Sequence, residues 1–509
     1  MAAEPVRQRL PRFADRNGMT RPGRGQHGPA AGTFMQERPI MEKKTTVYVR
    51  HLDAPYREGT RTKFRPLTEE MKAEIRRAVW EIFDKAGGSG LLKSSRKVFL
   101  KPNGIDGQPY CYTRPELVET VIDYWNRHGA EKVFLFENST QSNATRLVYA
   151  VTGYDAVCRR TGAKPVYLDE EKTVPFEFKG RKSVQDDPDG YFVTTFEMPR
   201  FVVKNLIEDL DKNLYISLPK LKTHSMAGVT LGVKNQWAFP AQPSRGFDHN
   251  YNLHHKLADV LSYVRPDFTL IEGVEGTIYG HYPVTALADE AVLPLKVLVA
   301  GKNVVAADIV GARIFGLGLD DVPHLKDAVE RGLSEGVRGP EDIEIDGDIS
   351  MYGTKQPTDL YDYYPPDVKV MVGKERCCKQ GCMNNPLTLL QILYGDHGGK
   401  GGWTLIIGKG HDPAEIDALP GPVLIAGDCA IREVADRLIA RLGRKNVFLS
   451  HKCNSLAETA AGMFYLMKVD PMEFAPINPL KALRCLALSK LHGSTALVPS
   501  PFSNKIKTV

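Results

Sequence analysis

Short apolar runs recur along this chain, and most are followed by a polar loop and then a helical pattern. The runs are TTVYV (45–49), KVFL (97–100), KVFLF (132–136), KPVYL (164–168), NLYISL (213–218), FTLI (268–271) and KVLVA (296–300). Each has the length of a buried strand and is too short for a core helix. Strands that alternate with helices predict an α/β domain with a largely parallel sheet flanked by helices. The clearest helix is TRPELVETVIDYWNRHG. Thr113 is a natural N-cap, Pro115 suits the first turn and Glu116 completes a capping box. Leu117, Val118, Val121, Ile122 and Trp125 form one apolar face, and Gly129 ends the pattern.

The stretch SMYGTKQPTDLYDYYPP (350–366) breaks this rhythm with Tyr, Pro and polar residues, which marks a domain boundary. The alternation then restarts with VKVMV (368–372), WTLII (403–407), PVLIA (422–426) and NVFLS (446–450). The reading is a first α/β domain over 45–350 and a second, smaller one over 366–475. A short helix near 479–491 and a polar tail complete 476–509.

Charge narrows the function classes. Residues 1–44 carry nine Lys/Arg and four Asp/Glu, which leaves 58 basic against 57 acidic residues of the 67 and 61 in the whole chain. That Arg-, Gly- and Pro-rich tail reads as disordered, and without an apolar core it is not a secretory signal. The rest is nearly neutral, so general nucleic-acid binding is not expected. No apolar run reaches the ~18 residues of a membrane span, and the expected location is the cytoplasm.

In open parallel sheets, ligands bind beyond the carboxyl ends of the strands. There the first domain places Lys101 and Asn103 after KVFL, Glu272 after FTLI, and GKNVVAAD, ending at Asp308, after KVLVA. After NLYISL comes PKLKTHSMAGVTLGVKN, with Lys220, Lys222, His224, Lys234 and Asn235. A single such lysine is an ordinary solvated turn. The set, with Arg114 at a helix start, predicts strand-end loops converging on an anionic carboxylate or phosphate ligand. His224 and His249 are candidate proton-transfer groups. AGVTLGVKN is not a P-loop: its glycines are one residue too close, Lys234 does not follow the second, and Asn235 replaces Ser/Thr. The dinucleotide fingerprint is absent too. The spacing of His249, His254 and His255 does not make a helical metal pair.

Five of the eight cysteines lie between 377 and 453. Cys377, Cys378 and Cys382 follow VKVMV, Cys429 follows PVLIA and Cys453 follows NVFLS. In a parallel sheet these loops share one edge, so the thiols would meet in space. Cys382, Cys429 and Cys453 also stand near expected helix starts, which favour thiolate. Convergent thiolates bind zinc or an iron–sulfur cluster, or form a redox disulfide. No C-x-x-C occurs, so the usual zinc-ribbon and thioredoxin spacings are missing; with four sulfur ligands and no other cofactor loop, a [4Fe–4S] cluster is preferred to zinc. Cys111, Cys158 and Cys485 read as structural.

VFLKPN, TRPELVETVIDYWNRHGAEKVFLFE, LPKLKTHSMAGVTLGVKNQWAFP, RPDFTLIEGVEG and VLVAGKNVVAADIVGARIFGL resemble, in this order, the DUF362 family over roughly 45–330. The resemblance implies that Lys220, Lys222, His224, Lys234 and Asn235 form the family's block, and it implies an association with iron–sulfur clusters. The C-x-x-C-x-x-C run common in such proteins is missing here. The leading functional expectation is a metal-dependent, oxidoreductase-like enzyme acting on an anionic small molecule, with Lys222, Lys234 and His224 catalytic and an electron-transfer partner. The alternatives are a non-redox transferase or ligase for a phosphorylated substrate, and a metal or cluster maturation protein.

Overall fold

A computed structural model describes residues 44–56, 61, 66–179, 194–247, 249–474 and 476–498. The tail expected to be disordered lies outside them, apart from Lys44. Every apolar run named above forms a strand. The first sheet carries, in order, the strands Ile343–Asp346, Thr45–His51, Val297–Gly301, Phe268–Thr277, Leu214–Leu218, Lys97–Pro102, Lys132–Glu137 and Lys164–Tyr167. The half from Phe268–Thr277 to Lys164–Tyr167 is parallel. Val297–Gly301 runs antiparallel to both of its neighbours. From Lys97–Pro102 the chain steps outward through the next two strands, then returns to lay Leu214–Leu218 on the other side. The order therefore reverses between Lys97–Pro102 and Leu214–Leu218, the place where such sheets bind ligands.

The second sheet pairs Lys369–Val372, Thr404–Ile407, Val423–Ala426 and Val447–Ser450, all parallel and in chain order. Its central strands are buried on both faces, against Leu390 and Met463 on one side and Val434 and Leu438 on the other. Residues Thr45–Val509 form one compact unit containing both sheets.

Two local expectations are corrected. The helix Pro115–Arg127 buries Leu117, Val118, Val121, Ile122 and Trp125 as expected, but Thr113 does not cap it. The Thr113 hydroxyl donates to Leu218 O (2.6 Å) and accepts from Asn103 N (2.9 Å), stitching two strand ends together. The second correction concerns PKLKTHSMAGVTLGVKN, which is not a loop. Lys220–His224 is itself a strand, turned back by Gly228–Thr230 as a hairpin, before the helical turn Gly232–Asn235. In a strand, alternate side chains share a face. Lys220, Lys222 and His224 therefore stand on one side, while Leu221 enters the apolar core on the other.

Candidate functional site

The strand-end residues form a buried ionic frame at the sheet's reversal. Lys101, fully buried, donates to Glu137 Oε2 (3.0 Å), Asn235 Oδ1 (2.9 Å) and Pro102 O (3.0 Å). Lys220 donates to both oxygens of Glu272 (2.8 and 2.9 Å) and to Glu275 (3.2 Å). Arg114 embraces Glu275 from Nε (2.8 Å) and Nη2. Burial drives Glu272 upward; in Glu275 burial is outweighed by Arg114 and Lys220, which hold it far below the usual carboxylate range. Such pairs fix geometry more than they add stability. Asn235 is the hub: Oδ1 accepts from Lys101 and Asn103 (3.2 Å), and Nδ2 donates to Ser217 Oγ (3.0 Å).

Lys222 differs. Among the described residues no carboxylate lies within ion-pair distance of its ammonium, which donates to Cys111 O. Burial lowers its pKa to about 8. Asp308 stands away from this frame. It accepts from Gly232 N and Val233 N (both 2.7 Å), and burial raises it to about 7 against those two bonds. A side chain on Gly232 would meet Val304 and Asp308, so only glycine lets the turn sit on this carboxylate.

Beside the frame, three imidazoles stack. His224 lies 3.7 Å from His281 at 4°, and 6.3 Å from His249 at 7°. Met226 N donates to His224 Nδ1 (3.1 Å), so the neutral ring carries its proton on Nε2. Burial holds His224 and His281 far below ordinary histidine. Sequence reasoning missed His281. It follows the left-handed Gly280 (φ 96°) beyond the end of Phe268–Thr277, and GHYP was its only signal.

The rings open on a cavity of about 210 Å³. Of the residues picked out from the sequence, Lys101, Asn103, His224, Lys234, Asn235 and His249 line it; Arg114, Lys220, Lys222, Glu272 and Asp308 stand behind its wall. Arg245, which sequence reasoning also missed, lines it while donating to the carbonyls of Pro240, Ser139 and Ala238 (2.8–2.9 Å).

The five cysteines gather at the carboxyl edge of the second sheet. Cys382 is influenced electrostatically by Cys453, Cys377, Cys378 and Cys429 together. The loops that carry them are laced: Asp428 N donates to Lys452 O, Lys452 N to Asp428 Oδ1 and Gly427 N to Ser450 O, all at 2.8 Å. Lys452 and Asn454, flanking Cys453, both have positive φ. A side chain at Gly427 would meet Cys382 Sγ at 2.6 Å. The expectation that helix starts favour thiolate is corrected for Cys382 and Cys453: burial dominates, pushing Cys453 up to about 12 and Cys382 well above the ordinary thiol.

Donors from residues 250–256 and 376 face these sulfurs. Asn250 Nδ2 donates to Cys453 Sγ (3.7 Å), Tyr251 N to Cys378 and Arg376 Nη2 to Cys429 Sγ (3.7 Å). Asn250 Oδ1 already accepts from Lys256 Nζ and Asn252 N (both 3.0 Å), which turns its N–H group toward the thiol. Among the described residues no three His, Cys, Asp or Glu side chains stand close enough to share one metal ion.

These features define an α/β protein with a cavity lined by lysine, histidine and asparagine at a sheet reversal and a thiol cluster beside it. Residues 98–313 match the model of the DUF362 family, a domain of unknown function. Over 267 residues it is 26% identical to the thylakoid-associated protein sll1697 of Synechocystis sp., covering 50% of this chain and 74% of the relative. A crystal structure of a Thermotoga maritima protein aligns over 80% of this chain and 84% of its own, at 10% identity and a TM-score of 0.32, too loose a likeness to carry an argument. No described helix is long and apolar enough to cross a membrane.

Proposed function

We propose that this protein is an iron–sulfur oxidoreductase acting on an anionic small molecule held in the cavity between the two sheets. The observation that carries the reading is the gathering of thiols from three strand-end loops beside donors aimed at sulfur. The donor set suits a sulfur-ligated cluster: N–H groups face Cys378, Cys429 and Cys453, and glycine at 427 leaves room beside Cys382. Those four cysteines would hold it, with Cys377 adjacent. In a polynuclear cluster each iron takes its own thiolate, so four cysteines carried on three loops are the number such a cluster needs. Bound there, the group would supply one-electron chemistry.

The chain's own residues do the rest. Lys234, with the polar edge of the cavity, attracts the anion. The neutral His224, its proton on Nε2 and its Nδ1 already taken by Met226 N, donates to the substrate. Lys222, close to its titration point near neutral pH, is suited to proton exchange behind the wall. All eight cysteines are free, which fits a reducing compartment, and we place the protein in the cytoplasm.

Anaerobic purification followed by iron, zinc and acid-labile sulfide analysis tests this. Iron and sulfide in equal amounts, lost in Cys429→Ala and Cys453→Ala but kept in Cys485→Ala, are expected. A colourless protein with one zinc on the same cysteines would remove the redox reading.

A further inference from the structure

The cavity has two chemically different halves. Its floor, from residues 98–313, presents Lys234 and the imidazoles of His224, His249 and His281, with Ile105, Leu147 and Val151 beside them. Its roof comes from beyond residue 313 and is mostly apolar, with Asn385 and Thr388 beside Leu389 and Ile392 on the helix Asn384–His397, Leu456 and Phe464 on Leu456–Met467, and Leu486 on Pro479–Leu491. The roof is fastened to the floor. Lys481 reaches Asp155 (3.6 Å), Thr495 N donates to Asp169 O (2.7 Å), and Leu497 N donates to Gln242 Oε1 (3.1 Å).

Four residues that line the floor each carry a buried polar atom with no hydrogen-bond partner among the described residues: His281 Nδ1, Asn103 Oδ1, Asn138 Oδ1 and the Tyr282 hydroxyl. A buried polar atom left unpaired is costly, and one on a residue that lines a cavity points to a partner bound there. The Asn103 amide is oriented by its N–H bond to Asn235 Oδ1, so its free oxygen asks for a donor. The floor therefore both donates and accepts. A small anion would leave the leucines of the roof facing water, and a plain hydrocarbon would leave the four atoms unpaired.

We propose that the cavity receives an amphipathic anion, with a hydrogen-bonding head on the floor and an apolar chain between the three roof helices. This rests on reading the floor as an anion site and adds the class of substrate. A carboxylate or a phosphate monoester supplies the same charge, so both belong in the test. Calorimetric titration of the full chain with N-acylglycines and with monoalkyl phosphates, each of rising chain length, reads the roof directly. Affinity is expected to tighten about three- to fourfold per added methylene until the roof is filled, with a negative heat-capacity change.

Phe464→Ala is expected to flatten this gain while leaving N-acetylglycine and methyl phosphate binding unchanged. Leu486→Gln, on a partly exposed part of the roof, serves the same purpose should Phe464→Ala fail to fold. Short anions binding with no dependence on chain length overturn the proposal and leave the anion site standing. A chain-length gain that survives both substitutions also overturns it. Failure of every anion, short or long, removes both readings.

Discussion

The backbone carbonyl of His249 occupies the space that a β-carbon on Gly381 would need. A member of the imidazole stack thus touches the loop CCKQGC directly, and the cavity and thiol cluster share one wall. Asn385 and Thr388, on the helix that begins just after Cys382, also line the cavity. The two sites are neighbours.

Gly381→Ala should force that wall apart. Overpacking of this kind costs about 1–3 kcal/mol, measurable by chemical denaturation. The same variant is expected to lower the iron retained after anaerobic purification, because Cys378 and Cys382 flank the displaced residue. Unchanged stability and iron content would show that the contact relaxes freely.

Lys222→Met should stabilise the fold while weakening anion-dependent function. Burial depresses the folded pKa of this amine, which has no carboxylate partner among the described residues, from 10.5 to about 8. Between these values the unfolded chain holds more protons, and stability rises with pH. Denaturation midpoints compared across that window should show the rise in the wild type and its loss in the variant. A purely structural lysine would instead destabilise the fold when replaced.

Asp308 has the opposite sign. Its folded pKa is raised from 3.8 to about 7, so the native state holds the extra proton and stability falls as pH rises between them. Asp308→Asn should remove that slope. At pH above this window the variant should be the more stable chain, since it has no carboxylate to keep buried and ionised. Thermal melts at stepped pH give both quantities.

Asn250 acts through Cys453 and not on substrate. Asn250→Leu is expected to retain iron but to lower the reduction potential, since N–H groups facing sulfur favour the reduced cluster. An unchanged potential, measured by spectroelectrochemistry, would make the Asn250 contact merely structural.

Much of this was legible in the sequence because it depends on period and order. The strand runs set the two sheets, and their parallel order alone places the loops of Cys382, Cys429 and Cys453 at one edge. The spacing of Lys220, Lys222 and His224 already carried the period of two that makes them a strand face. The sequence read as a loop there because Pro219 and the run of charge resemble a turn.

Partnership was decided only in three dimensions. Lys220 and Arg114 stand 52 to 161 positions from the carboxylates that match them, and no local pattern encodes such pairings. His281 and the donors of residues 250–256 were hidden for the same reason. The sequence by itself determined which side chains lie at the carboxyl ends of buried strands, since a strand's length and alternation are local properties. Only the tertiary structure decided which charges are matched, which line a cavity and which thiols have neighbours, because those follow from how distant segments pack.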